Sequence, residues 1–68
     1  MRYSVYMYYD EEDGIYVASI PELEGCMAHG ATPEEAIREI QTACELWLEA
    51  ASETGKPIPQ PRVMQLAV

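Results

Sequence analysis

The sequence predicts an α+β domain in the order β-β-β-α-β, with one helix packed on one face of a small sheet. Three observations carry this prediction. Two segments rich in aromatic and β-branched residues and a shorter third run are punctuated by Asp13-Gly14, Pro21, Gly25 and Gly30. A long segment with apolar residues at three- and four-residue spacing follows, bracketed by Thr32-Pro33 and Gly55. A proline-rich connector then leads into a last apolar run.

Each element has its own warrant. Arg2-Tyr3-Ser4-Val5-Tyr6-Met7-Tyr8-Tyr9 reads as a strand, because aromatic and β-branched side chains fit a pleated surface. The acidic stretch Asp10-Glu11-Glu12-Asp13-Gly14 separates it from the next apolar run and reads as a hairpin loop. Ile15 to Ile20 is the return strand, ended by Pro21, which has no N–H to donate to a ladder. Gly25 permits a turn, and Cys26-Met27-Ala28-His29 forms a short third strand closed by Gly30. Thr32 is the expected helix N-cap, Pro33 suits the first helical position, and Glu35 is placed to bond back to the Thr32 N–H. The helix is expected to reach Thr54, with Gly55 as its left-handed terminator. Ala36, Ile37, Ile40, Ala43, Cys44, Trp47, Leu48 and Ala51 form its apolar stripe, while Glu35, Arg38, Glu39, Gln41, Thr42, Glu45 and Glu49 lie off it. Lys56 to Pro61 is an extended connector, and Arg62 to Val68 is the fourth strand.

The strands are not cleanly amphipathic. One side of the first two strands carries Tyr3, Val5, Met7, Tyr9, Tyr16, Ala18 and Ile20; the other carries Ser4, Tyr6, Tyr8, Ile15, Val17 and Ser19, so both carry apolar bodies. A solvated face of an antiparallel sheet alternates polar residues outward, and this one does not. Tyr6, Tyr8, Ile15 and Val17 are therefore expected to pack on another copy, as a homodimer or homotetramer. Chain length points the same way. At 68 residues the sequence supports one domain spanning 1–68, and such a domain buries only about 60% of its unfolded surface. Cys26 and Cys44 allow one bridge at most, and no signal peptide precedes the first strand. Both are therefore expected as thiols in a cytoplasmic protein. No apolar run has the length of a membrane span.

Twelve acidic and four basic residues give a net charge of −8. That balance argues against nucleic-acid binding by this chain; it favours a basic protein partner or simply keeps a small protein soluble. The residues that could carry chemistry read as structural. Asp10, Glu11, Glu12 and Asp13 are consecutive on one loop, whereas a two-metal site draws carboxylates from several elements. The loop lacks the twelfth-position Glu of a calcium loop, where Pro21 stands. Cys26 and His29, three residues apart in a strand, point to opposite faces and do not form a nucleophile–base pair. Two Cys and one His fall short of four zinc ligands. Trp47 reads as core, with an indole N–H that requires a partner. No catalytic residue, metal or cofactor is expected.

The chain resembles the HicB-like antitoxin family. The resemblance rests on the Tyr-rich first strand, the acidic loop 10–14, and Ile15-Tyr16-Val17-Ala18-Ser19-Ile20-Pro21-Glu22-Leu23-Glu24-Gly25-Cys26. It continues through Gly30-Ala31-Thr32-Pro33-Glu34-Glu35-Ala36, Trp47-Leu48-Glu49 and Ile58-Pro59-Gln60-Pro61, covering roughly residues 3 to 62. It implies a partial ribonuclease-H-like fold, strand order 3-2-1-4, with the fourth strand parallel to the first. It implies a partner as well: a small, basic, HicA-like toxin that cleaves messenger RNA and whose catalytic histidine the antitoxin occludes. Members commonly add a C-terminal DNA-binding segment; no second helix or basic patch follows the connector here, so direct nucleic-acid binding is not expected. With this resemblance, the acidic residues Glu22, Glu24, Glu35 and Glu39, expected to be exposed, become candidates to face a basic partner. A stand-alone oligomeric adaptor and, from fold analogy, a vestigial metal-dependent nuclease are the rival readings.

Overall fold

A computed structural model of the protein describes residues 3–59. Strands β1 (Tyr6–Asp10), β2 (Ile15–Ser19) and β3 (Met27–Gly30) precede helix α1 (Pro33–Thr54). The strands form an antiparallel sheet in the order β1-β2-β3, with Tyr8 opposite Val17 and Val17 opposite His29. The expected meander and helix are thus present. The fourth strand, placed over residues 62–68, lies outside the described residues.

Strand boundaries follow where backbone N–H groups find partners. The first strand begins at Tyr6 rather than Arg2, because the Ser4 N–H donates to the Glu22 carboxylate (3.2 Å) instead of to a ladder. The turn after β1 is held by Asp10, whose Oδ1 accepts from the Glu12 and Asp13 N–H groups. Two linked turns then follow β2: Leu23 N–H donates to Ile20 C=O and Cys26 N–H to Leu23 C=O, both at 3.0 Å. They drive the Leu23 side chain into the core, where it is 0% exposed. Because Cys26 gives its N–H to that turn, β3 starts one residue later than expected.

The helix matches its expected ends. Thr32 Oγ1 accepts from Glu35 N–H at 3.1 Å, and Gly55 terminates the helix in the left-handed region at φ 77°. The Glu35 carboxylate, however, accepts from the Ala31 N–H at 2.7 Å, one residue before the expected Thr32 donor. Gly30 sits hard against this first turn; a Cβ there would lie 2.6 Å from the Ala36 backbone nitrogen.

The core lies between the helix and one face of the sheet. It comprises Ala18, Ile20, Leu23, Cys26, Ala36, Ile40 and Cys44, with Met7, Tyr16, Trp47 and Leu48 packed on it. Burying Ile20, Leu23 and Ile40 contributes about 1.5–3 kcal/mol each. Ile37, expected in the buried stripe, is instead exposed. Trp47 finds its partner in the Glu24 C=O at 2.9 Å, tying mid-helix to the β2–β3 loop. The helix therefore runs antiparallel to β3, its first turn at Gly30 and its third quarter near the loop.

Candidate partner-binding surfaces

The four acidic candidates separate into two pairs. Glu22 and Glu24 lie in the β2–β3 loop, and Glu35 and Glu39 on the helix beside the other end of β3. From Glu35 to Trp47, which bonds the loop, the helix rises about 18 Å. Two of the four are not the exposed side chains expected. Glu22 is half-buried and its carboxylate also accepts from Ser4 Oγ (2.9 Å), so it fastens the chain that enters β1. Glu35 is half-buried through its bond to Ala31. Glu24 and Glu39 are exposed.

Glu35 and Glu39 belong to a feature that sequence reasoning did not identify. A groove of about 620 Å³ runs along the outer side of β3, with Met27 and His29 on one wall and Glu35, Glu39, Ala43 and Leu46 on the other. Glu35, Glu39 and Leu46 share one helical row, acidic near Gly30 and apolar near Met27. Leu46 is 60% exposed and Met27 56%. Leu46 held the available signal: it is an apolar residue on the otherwise polar side of the helix.

The backbone of β3 faces this groove in a definite way. Ile20 N–H donates to Cys26 C=O at 3.1 Å, so Cys26 points its carbonyl at the β2 side. Backbone direction alternates along an antiparallel strand, so Ala28 and Gly30 also face β2. Met27 and His29 direct their N–H and C=O groups away from it. Among the described residues no strand pairs with that edge.

The second surface is the sheet face opposite the helix. Tyr6, Tyr8, Ser19, Val17, Ile15, Met27 and His29 occupy it by strand alternation. The Tyr6 and Tyr8 rings stand 6.0 Å apart, with Tyr6 60% exposed; Ile15 and Val17 are half-buried. The register thus brings all four expected interface residues to one face. Its acidic member, Asp10, is engaged with its own turn.

The groups that could do chemistry are otherwise occupied. Cys26 and Cys44 are free thiols buried in the core, and burial pushes both pKa values up from the ordinary thiol value; Cys44 adds to the rise at Cys26 and Glu45 to that at Cys44. His29 is exposed, on the opposite side of the sheet from the core that holds Cys26. Among the described residues, no three His, Cys, Asp or Glu side chains are grouped to hold a metal ion. No helix among them is long and apolar enough to cross a membrane.

Residues 3–68 match a family model described as the HicB-like antitoxin of bacterial toxin–antitoxin systems. The UPF0150 protein Ta0767 of Thermoplasma acidophilum is 34% identical over all of this chain and 97% of its own length. The UPF0150 protein ssl0259 of Synechocystis is 41% identical over 87% of this chain and 80% of its own. No solved structure matches the chain significantly. The match spans the tyrosine strand, the Leu23 turns, the Thr32 cap and the whole helix, and by it this chain belongs to the HicB-like antitoxin family.

Proposed function

We propose that this chain is a protein-binding module that neutralises a small basic toxin of the HicA-like, messenger-RNA-cleaving kind by covering its active site, with no chemistry of its own. The observation that carries this reading is family membership across residues 3–68. The net charge of −8 supports it, because it complements a basic, RNA-handling surface and steers association. Such a partner works where messenger RNA is, which fits a cytoplasmic protein with reduced thiols. Occlusion needs a rigid surface rather than a reactive one, and α1 locked to the loop through Trp47 and Glu24 supplies it.

Two structural expectations belong to the same reading. One is the fourth strand beside β1, completing a partial ribonuclease-H-like sheet. Its support is the Tyr3 hydroxyl, which donates to Pro59 C=O at 2.7 Å and brings the chain back to the approach to β1. The other is self-association through Tyr6, Tyr8, Ile15 and Val17, supported by their shared sheet face, on which Tyr6 and Tyr8 are exposed and Ile15 and Val17 half-buried. That face also favours the stand-alone oligomer as the second reading.

A small basic reading frame adjacent to this chain's gene would supply the candidate toxin, and coexpression with its product tests the function. The expected outcome is a copurifying complex and relief of the growth arrest caused by the basic product alone. Growth arrest that persists with the chain present at equal level would overturn it. Charge reversal at Glu24 and Glu39 together is expected to weaken the complex by about tenfold or more at low salt and to flatten its salt dependence.

A further inference from the structure

We propose that the free edge of β3 receives an extended segment of a basic partner as an added strand, with the helix row Glu35, Glu39 and Leu46 selecting its side chains; this deepens, and rests on, the binding-module function above. Three features of the structure converge on it. Met27 and His29 present two N–H and two C=O groups outward, the ladder half that strand addition requires. The groove beside them is open and flanked by a helix, so an incoming strand would be covered on one face as it pairs. The row above it is acidic at one end and apolar at the other.

Spacing then specifies the occupant. Side chains on one face of a strand recur about every 6.6 Å. Helix positions 35 to 46 rise about 16 Å. The incoming strand therefore places Lys or Arg at one or two successive helix-facing positions against Glu35 and Glu39, then an aliphatic residue against Ala43 and Leu46. Charge decides against a second copy in this position, since pairing β3 with itself would bring two sets of Glu35 and Glu39 together on chains of net charge −8. Pro59, the last described residue, lies against Tyr3, which leads into β1 at the opposite edge of the sheet.

The test is amide exchange and chemical-shift mapping of the full chain, titrated with the blocked peptide Thr-Lys-Thr-Lys-Thr-Val-Thr. The Met27 and His29 amides are expected to shift and to exchange about tenfold or more slowly at saturation, while Ala28 and Gly30, already in the β2 ladder, change little. The same peptide N-methylated at every internal residue keeps its charge but not its donors, and its affinity should fall about tenfold. Glu39→Lys, at an exposed position, should weaken binding about fivefold. His29→Pro should abolish the response, with His29→Thr as the control that keeps the N–H. Mapping to the Tyr6/Tyr8 face or the 22–24 loop, or equal binding of the N-methylated peptide, overturns the proposal. So does concentration-dependent protection of Met27 and His29 in a free chain whose tyrosine face is blocked by Tyr8→Glu, which assigns the edge to a second copy. A copurified basic partner that leaves both amides unprotected overturns the edge proposal and leaves the toxin-binding function standing. Peptide docking at the edge in a chain that relieves no growth arrest does the reverse.

Discussion

Cys26 and Cys44 are the most buried ionisable groups of the core, and their chemistry follows from that position. Burial disfavours both thiolates and holds both pKa values above the ordinary thiol value of 9.0. The folded chain therefore keeps these protons where the unfolded chain has begun to lose them. Their contribution to stability is complete below the unfolded pKa and is lost as pH rises through the folded values. Melting temperature is expected to fall as pH rises above about 9.0, and a Cys26→Ala/Cys44→Ala variant should lose less of it over the same rise. Parallel pH profiles for the two proteins, measured by thermal melts, would contradict this. How far such roles are legible in the sequence depends on distance along the chain. Thr32, Pro33 and Gly55 were readable because a helix end is a local problem solved by neighbouring residues. Glu22 was misread as exposed because its donors sit at Ser4, 18 positions away, and nothing local encodes that meeting.

At the level of elements, the close seating of the helix on β3 depends on Gly30. An added Cβ would lie 2.6 Å from Ala36 N and 2.8 Å from Glu35 Cβ, and the backbone of a capped first turn has little room to move. Gly30→Ala is expected to cost about 2–3 kcal/mol by overpacking. In a domain of this size that lowers the melting temperature by roughly 10–20 °C. Gly55→Ala is the informative comparison: its φ is 77°, but nothing lies within 4 Å of the new Cβ, so only the conformational term of about 1 kcal/mol remains. Equal losses for the two variants would show that the contact at Gly30 relaxes. The sequence marked Gly30 as a strand terminator, and its role as the helix seat emerged only from the packing of two elements. The β3 edge was legible only through the family resemblance, whose strand order 3-2-1-4 leaves the third strand outermost. Strand periodicity identifies faces, but which strand is left unpaired is a property of the assembled sheet.

At the scale of the whole molecule, the described residues place one helix on one face of a three-stranded sheet and leave the other face to carry Tyr6, Tyr8, Val17 and Met27. This asymmetry was legible, because strands with apolar side chains on both faces cannot satisfy both against a single helix. The charge distribution selects what covers the open face. Glu22, Glu24, Glu35 and Glu39 lie on the loop and helix, so a second copy can approach the tyrosine face without bringing these charges together. Sedimentation at micromolar concentration is expected to give a mass of at least twice 7.7 kDa, and the melting temperature is expected to rise with concentration, as mass action requires. Tyr8 lies opposite Val17, which lies opposite His29, so it sits in the middle row of this face. Tyr8→Glu puts an unpaired carboxylate into that row on both copies, and should yield a 7.7 kDa monomer whose melting temperature no longer depends on concentration. The β3 edge lies along a different border of the molecule, so the same variant should still slow exchange at Met27 and His29 when the lysine peptide is added. A wild-type chain that sediments as a monomer would remove the tyrosine face from the assembly. A Tyr8→Glu chain that stays oligomeric would place the subunit contact elsewhere.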